Sequence, residues 1–270
     1  MFKNHSKYSW FSFVPFTLLS LISIVLLVHG SLPVSYLWGT LVMWVLISGL
    51  GVSTGYHRVF SHKTHDLPRW KENILLFFGA LSGQGSSIMW AAIHRGYHHK
   101  NSDRPGDLHS PVIHTIYHAF FGWTLKITEN SNSINIKYSV DLLRKSNHVW
   151  FHQNNMKILW GVPFLVALFD WRMSLVVLCL PIGISLIQDN FVNVIGHLKG
   201  KTGYRNFSTK DNSQNHLLLA YITWGQLFHN NHHHAPSSYN FGYGVSRLWW
   251  EIDPCVIFLL FLGKPKHAKV

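Results

Sequence analysis

The sequence predicts an all-α integral membrane protein with four transmembrane helices in two hairpins, capped by a cytosolic helical domain. Charged residues make up only 13% of the 270 residues and hydrophobic residues 47%, whereas an ordinary soluble domain carries about 25% charged residues. Two long uncharged runs lie near the N-terminus, and the basic residues are distributed unevenly about the predicted spans. Residues 1–270 are expected to form a single membrane domain.

The first predicted hairpin consists of spans at residues 10–28 and 36–54, joined by a turn at residues 29–33. A helix needs about 20 apolar residues to cross a bilayer. No small-residue cleavage site follows the first run, so we expect a retained span and not a signal peptide. The second hairpin is less apolar. It consists of residues 156–171 and 173–195, with a tight turn at Asp170, Trp171 and Arg172.

Residues 74–93 are also uncharged and long enough to span, but we expect them not to cross. Histidine clusters lie on both sides of this run, and one crossing would place the clusters on opposite faces of the bilayer. Glycines at 79, 83 and 85 also interrupt the run. A buried or re-entrant helical segment is therefore predicted.

The Lys and Arg residues indicate the sidedness. Two of the 23 lie in residues 1–9, twelve in 53–157 and eight in 196–270, while Arg172 alone lies in an outer turn. By the positive-inside rule, the side that holds 22 of them is cytoplasmic. We expect a multi-pass protein whose termini, cap (residues 55–155 and 196–270) and active site face the cytoplasm. Because the net charge of +12 flanks the spans, a nucleic-acid binder is disfavoured.

Histidine is the unusual residue, with 20 copies, and nine of them fall in four clusters at span ends or in the cap. Neutral imidazole suits iron, copper or zinc. Nine ligands are too many for one ion, which takes about four to six, so the cap is predicted to hold a dimetal site. The candidate ligands are His57, His62, His94, His98, His99, His197, His229, His232 and His233.

Spacing within the clusters indicates how the ligands are presented. Residues three or four positions apart share one face of a helix, which suits His94 with His98. The same spacing places Asn193 beside His197 and makes this Asn a further candidate at the site.

His57 and His62 are five residues apart, about 140° around an ideal helix, so we expect a helix end that unwinds over the site. Carboxylates near the clusters are few, so the site differs from the carboxylate-rich site of soluble di-iron bundles. They are Asp66, Asp103, Asp107 and Asp189.

These ordered motifs resemble the membrane fatty-acyl desaturase family, in particular the stearoyl-CoA (Δ9) type and its bacterial relatives. The shared motifs are an H-x4-H box at 57–62, a second box at 94–99, an N-x3-H element at 193–197 and an H-N-x-H-H box at 229–233. D-L-H-S-P at 107–111 and W-W-E-I-D-P at 249–254 also match. The resemblance runs from about residue 35 to residue 262.

Two departures from the family pattern stand out. The second box reads H-x3-H-H instead of H-x2-H-H, which leaves open which of His94, His98 and His99 are ligands. Gln226 stands where relatives often have Glu.

The resemblance implies that the nine histidines hold two ferrous ions, that Asn193 reaches one of them through a water, and that no further residue is catalytic. It implies an oxidoreductase that uses O2 to introduce a cis double bond, at Δ9, into a saturated acyl chain carried on CoA. The implied partners are a fatty-acyl thioester or phospholipid, membrane lipid, and a separate electron donor with its reductase. The donor would be a ferredoxin, a rubredoxin-like protein or a cytochrome b5, since no His-Pro-Gly-Gly haem segment occurs in the sequence.

An acyl chain has no polar group near the reacting carbons, so a narrow apolar tunnel must position it. Trp90 is a candidate wall residue, and Arg95 is a candidate partner for the phosphate of an anionic carrier. Ordinary packing for Trp90 and membrane anchoring for Arg95 are the alternatives.

Two other functions compete with desaturation. Membrane hydroxylases of alkyl or lipid substrates use similar histidine boxes, but the N-x3-H element and the H-N-N-H-H box favour desaturation. A metal transporter needs ionisable residues within its spans, and the first two predicted spans contain none.

Overall fold

The computed structural model describes residues 5–125, 136–200 and 202–266, with side chains from Trp10 onward; the parts of the predicted cap at 126–135, 201 and 267–270 lie outside these residues. The described chain is helical, with two isolated antiparallel bridges joining Asn215 to Tyr204 and to Phe228. The main helices are α1 (His5–Val28), α2 (Tyr36–Ser61), α3 (Arg69–Leu81), α4 (Ser87–Ile93, continued by a wide turn at His94–His99), α5 (Ser146–Ala167), α6 (Trp171–His197), α7 (Leu217–Ile222), α8 (His229–His234) and α9 (Val256–Leu262). Shorter helical turns lie at His118–Gly122, Trp123–Leu125, Ile136–Ser139, Val140–Leu143 and Tyr243–Ser246.

Three helices in the described chain are long and apolar enough to cross a membrane: Trp10–Val28 of α1, α2 and α6. Their outward faces are apolar, and Leu18, Leu21 and Val25 of α1 each expose about half of their surface. Large contiguous apolar surfaces are rare on soluble proteins. The predicted all-helical, membrane-associated fold is therefore confirmed at this level.

The boundaries of the second hairpin differ from the prediction. The span predicted at 156–171 belongs to α5, which begins at Ser146 and ends at Ala167, and the next helix begins at Trp171 and not at 173. Asp170 is the N-cap of that helix, because its carboxylate accepts hydrogen bonds from the backbone N–H groups of Arg172 and Met173. The polar first half of α5 was not predicted as part of this helix. It packs on α3, where Asn147 donates to Glu72.

The second predicted span also ends later than expected. α2 continues past residue 54 to Ser61, so its last turns carry the first histidine box. From Val45 onward the turns widen to an i→i+5 pattern, a geometry often found at functional sites. At Gly51 a side chain would lie 2.5 Å from the backbone of α3, so the two helices pack in direct backbone contact.

The turn between α1 and α2 and the turn between α5 and α6 lie at the same end of the bundle. The hydroxyl of Tyr36, at the start of α2, donates to the carboxylate of Asp170 at 2.6 Å. Along the bundle, Ser20 and Ser23 of α1 donate to the carbonyls of Cys179 and Leu175 in α6 at 3.1 Å. Such hydroxyl bonds and small residues let helices approach closely in an apolar setting.

Residues 74–93, which were predicted to form one interrupted helical segment, belong to two separate helices, α3 and α4. Gly83 and Gly85 lie in the turn between them with φ values of +72° and +84°, a region that suits glycine. The turn changes the direction of the chain. The box at 94–99, which directly follows α4, therefore lies beside the end of α2.

We predict that the contact between α1 and α6 depends on Gly183. A Cβ there would lie 2.0 Å from the Ser20 hydroxyl and 2.7 Å from the Phe16 carbonyl, so Gly183→Ala should lower stability by about 1–3 kcal/mol through overpacking. Gly161→Ala on α5 is the matched control, because nothing lies within 4 Å of the added Cβ. Thermal unfolding in detergent should show a lower midpoint for Gly183→Ala only. Equal midpoints would contradict this packing.

Candidate metal centre

All nine predicted histidines converge, and their rings form two adjacent groups. The five-histidine group consists of His57, His62, His94, His99 and His232, and the four-histidine group consists of His98, His197, His229 and His233. Within each group, one ring nitrogen from every residue lies within 4.8 Å of the others. Four distant chain segments therefore bring their rings to one place: the end of α2, the turn after α4, the end of α6, and α8.

The Nε2 atoms point at one another within each group. They are 3.0 Å apart for His57 and His232, and 2.8 Å apart for His62 and His94. In the four-histidine group, His197 and His229 approach to 2.8 Å. Donor atoms crowded around common points in this way are the arrangement that a bound metal ion requires.

The paired histidines of the boxes divide between the two groups. His98 belongs to the four-histidine group and His99 to the five-histidine group, while His232 and His233 divide in the opposite order. Consecutive side chains on a helix point about 100° apart, so one pair reaches two ion positions. All three histidines of the second box, His94, His98 and His99, lie in one or the other group, and their role as ligands stays a prediction.

Two expectations about spacing are wrong. His57 and His62 do not lie on an unwound helix end: α2 stays helical through Ser61, and the backbone N–H of His62 donates to the carbonyl of His57. His94 shares its group with His99, five residues on, and not with His98. Both five-residue pairs lie on wide i→i+5 turns, which place residues five apart on nearly one face. The second box, with its extra residue, lies entirely within this wider turn.

Each ring of the four-histidine group is held through its other nitrogen. Nδ1 of His98, His197 and His233 lies 3.2, 3.0 and 2.9 Å from a carboxylate oxygen. The carboxylates belong to Asp107, Asp103 and Asp211, in the same order. The fourth ring, His229, donates from Nδ1 to the backbone carbonyl of Gln226 at 3.0 Å.

These contacts fix the tautomer of the rings. Burial alone would raise the pKa of Asp103, but hydrogen bonds from His197 and Ser110 lower this pKa to about 2. The pKa of Asp107 and that of Asp211 are also far below the usual range, because hydrogen bonds and nearby imidazoles outweigh burial. An ionised carboxylate only accepts hydrogen bonds. Nδ1 therefore carries the proton, and the Nε2 lone pair is available to a metal.

The five-histidine group lies in more apolar surroundings. Nδ1 of His57 and of His232 is buried without a hydrogen-bond partner in the described chain. The ring of Phe241 packs 4.2 Å from that of His232, and the Trp90 indole stacks on His94 at 4.7 Å. Burial, and the charge of neighbouring histidines, lower the pKa of His94 and that of His232. Neutral imidazoles are ligands that fit a transition metal such as iron.

A third set of potential ligands consists of His98, Asp107 and His109. It overlaps the four-histidine group, because the carboxylate of Asp107 already bonds to His98. His109 lies against His98, with ring centroids 4.6 Å apart. Within the described residues, His65 and His234 lie outside all three sets, and His234 stacks on Phe207 instead.

One cavity borders both histidine groups. Its wall includes His57 and His94 from one group and His98 and His229 from the other, together with Asn193 and Trp90. Most of the remaining wall area is apolar and comes from residues such as Phe13, Ile93, Trp123, Leu186 and Val192. Polar residues, among them Gln84, Asp189, Asn190 and Gln226, also line the cavity.

Hydrogen bonds fix the two indoles in the cavity wall. Trp90 donates to Gln84 at 3.1 Å, and Trp123 donates to Asn190 at 3.1 Å. Each indole N–H is therefore satisfied, and the rings present apolar faces to the cavity.

Arg95 lies away from this cavity wall. Its guanidinium donates to the Ser61 carbonyl at 2.7 Å and to both carboxylate oxygens of Asp141, with further bonds to the carbonyls of Phe60 and Tyr138. In this structure Arg95 ties the turn after α4 to the end of α2. Its role in binding a carrier stays a prediction.

Sequence spacing did not reveal the residues that position α8. Asn215 accepts hydrogen bonds from the backbone N–H groups of Asn230 and Asn231 at 2.9 and 3.2 Å, and so caps the helix from a distant segment. Asn231 in turn donates to Glu251 at 2.6 Å. Asp211 was also missed, because it lies in a polar loop with no histidine three or four residues away.

A buried ion pair supports the wall behind the five-histidine group. Arg58 and Asp253 are completely buried, with 2.8 Å between their charged groups. The guanidinium of Arg58 lies 3.9 Å over the ring of Phe241, which contacts His57 and His232.

A helical protein that is suited to a membrane and gathers two sets of imidazoles beside an apolar cavity is a candidate metalloenzyme for an apolar substrate. The chain belongs to the fatty acid desaturase family, whose model matches residues 31–251. This membership confirms the resemblance that the motifs indicated.

Three relatives show how similar the chain is to known proteins. A protein named as a probable chloroplastic lipid desaturase of Arabidopsis thaliana is 31% identical over 84% of this chain and 62% of its own length. An sn-1 stearoyl-lipid 9-desaturase of Synechocystis is 29% identical over 84% of this chain and 70% of its own length. An sn-2 palmitoyl-lipid 9-desaturase of Nostoc is 30% identical over 82% of this chain and 77% of its own length. The chain thus spans less than two thirds of the first of these relatives.

We predict that Asp253→Asn lowers the free energy of unfolding by about 3–5 kcal/mol, because it leaves the buried charge of Arg58 without its partner. Asp66→Asn is the matched control. Asp66 pairs with Lys266 and exposes 83% of its side chain, so its loss should cost about 1 kcal/mol or less. Denaturant titration of the two variants in detergent should separate them. Similar losses would contradict the supporting role of the Arg58 pair.

Proposed function

We propose that the protein is an O2-dependent di-iron desaturase that introduces a cis double bond at position 9 of a saturated fatty-acyl chain. The observation that carries this proposal is the single cavity that borders both histidine groups and has a largely apolar wall. The names of the relatives support the substrate class and the position of the double bond.

The nine histidines would hold the two ions, five on one and four on the other. Asn193 would complete the smaller set through a water, which its place in the cavity wall beside His98 and His229 supports. Imidazoles with Nδ1 held by carboxylates are well oriented as ligands. When bound, iron would supply the oxidising chemistry that removes hydrogen from an unactivated methylene pair, with O2 as the co-substrate.

The protein's own contribution is to position the chain and exclude water. Trp90 and Trp123 are fixed by their hydrogen bonds, so they form rigid walls beside the histidines. A walled cavity holds one methylene pair at the site and restrains rotation about the carbons that react. Product geometry would therefore follow from the shape of the cavity. No acid or base among the side chains is needed, because a methylene group has no acidic proton.

We further propose that α5 is a fourth span and that the histidine site faces the cytoplasm. Trp160, Phe164 and Leu165 expose apolar surface on α5, as a lipid-facing helix would. The shared position of the two hairpin turns supports an even number of crossings, and the distribution of basic residues supports a cytoplasmic cap.

The acyl carrier and the electron donor belong to the proposal as well. The relatives named for stearoyl-lipid and palmitoyl-lipid substrates favour a membrane lipid as the carrier over the acyl-CoA that the motifs suggested. The donor would be a separate ferredoxin, rubredoxin-like protein or cytochrome b5. The net charge of +12 suits an acidic donor.

Expression in a host that lacks Δ9 unsaturated fatty acids tests the proposed activity. We expect new cis-9 monoenes in the extracted lipids, formed only in the presence of oxygen, with gas chromatography and mass spectrometry locating the double bond. Pulse labelling would show whether the double bond first appears in a phospholipid or in acyl-CoA. Products that had gained an oxygen atom would identify a hydroxylase instead, and unchanged lipids would contradict the proposal.

We predict that His98→Ala and His232→Ala each abolish turnover and lower the iron content, because the two residues belong to different groups. Iron analysis of the purified protein should fall from about two equivalents toward one in each variant. His234→Ala is the control, since this neighbour in α8 stacks on Phe207 outside both groups. Full activity in His98→Ala or in His232→Ala would overturn that ligand assignment.

A further inference from the structure

The two histidine groups differ in how their rings are supported. We propose that the four-histidine group is the higher-affinity metal position and that the protein fills its two positions in a fixed order. This inference rests on the proposed function only in treating both groups as metal positions.

Negative charge is concentrated behind one group. Three of its four rings bond through Nδ1 to carboxylates, those of Asp103, Asp107 and Asp211. Within the described residues, no carboxylate lies within 4 Å of a ring nitrogen in the five-histidine group, to judge from the ion pairs of the structure. Nδ1 of His57 and His232 is buried without a partner there.

This difference affects metal affinity in two ways. A carboxylate on Nδ1 makes the imidazole a stronger donor and fixes the direction of its Nε2 lone pair, and loss of such a contact typically costs about 10–100-fold in affinity. The carboxylates also offset the charge of a buried dication. The five-histidine group must hold its ion with neutral rings alone.

The carboxylates are themselves held in place by hydrogen bonds within the protein. Asp103 accepts hydrogen bonds from the Ser110 hydroxyl and the backbone N–H of Asn212, both at 2.6 Å. Asp211 accepts from Thr209 at 2.7 Å and from the backbone N–H of Ser213 at 3.0 Å. Protein hydrogen bonds thus orient the rings of the four-histidine group, and such orientation reduces the entropic cost of binding.

Filling the first position should oppose filling of the second. The rings of His99 and His233, which belong to different groups, stack with centroids 4.7 Å apart. Two dications separated by so little protein repel each other. The group without carboxylates should therefore fill second and bind its ion more weakly.

Anaerobic titration of the full, detergent-solubilised, metal-free protein with Co2+ tests the order. Visible absorption and competition with a chelator of known affinity report each equivalent. We expect two steps, the first at least about 10-fold tighter than the second. His233→Ala should remove the tight step, and His62→Ala should remove the weak step.

Asp107→Asn and Asp211→Asn isolate the effect of charge, because asparagine keeps the size of the side chain. Each should weaken the tight step by about 10–100-fold. Asp66→Asn, which removes an exposed charge that pairs with Lys266 and belongs to neither histidine group, should match the unmodified protein in both steps. Thermal unfolding of every variant shows whether the fold is retained, and the His62→Ala and His233→Ala pair assigns the steps independently.

Three outcomes would overturn the inference. The two steps could have equal affinities, the Asp→Asn variants could weaken only the second step, or His62→Ala could lose the tight step. These outcomes are separate from the proposed function. Stepwise Co2+ binding by a protein that forms no double bond would contradict the activity alone. Equal steps in a protein that desaturates lipids would contradict the order of filling alone.

Discussion

The convergence of nine imidazoles on two small volumes is the constraint that the rest of the fold satisfies. The rings come from α2, the turn after α4, α6 and α8. His57 and His232, whose Nε2 atoms lie 3.0 Å apart, are 175 residues apart along the chain. Buried polar rings are costly unless each nitrogen has a partner. The helices, caps and buried ion pair around them all serve to bring those partners together.

The two groups differ in what surrounds the Nδ1 atoms of their rings. Carboxylates and a carbonyl take up Nδ1 in the four-histidine group, so only Nε2 remains to be satisfied. Aromatic rings surround the five-histidine group, where Phe241 is itself braced by the Arg58 and Asp253 pair. A polar shell and an apolar shell thus meet at one cavity.

The sequence was a good guide to features with a repeating or local pattern. Two uncharged runs predicted α1 and α2, and the less apolar segment at 173–195 predicted most of α6. The glycines at 79, 83 and 85 predicted that the run at 74–93 is interrupted, and the structure has a turn there at Gly83 and Gly85. The ordered boxes identified all nine rings that converge. Wide turns were beyond this reasoning, because the i→i+5 pattern at His57–His62 and His94–His99 has no counterpart in the ideal helix spacing that was assumed. Partners from distant loops, such as Asp211 for His233 and Asn215 for α8, leave no periodic signal and depend on tertiary packing.

The division of adjacent histidines between the two groups has a consequence for how the site tolerates change. One peptide unit connects His98 to His99, and another connects His232 to His233, so the distance between the two ion positions is set by covalent geometry at two points. An added residue before such a pair can fit within a wider helical turn, and the longer second box lies on such a turn. An added residue inside a pair would move one ion position relative to the other. Length variation among natural sequences should therefore be confined to the segments between pairs, with both doublets left intact.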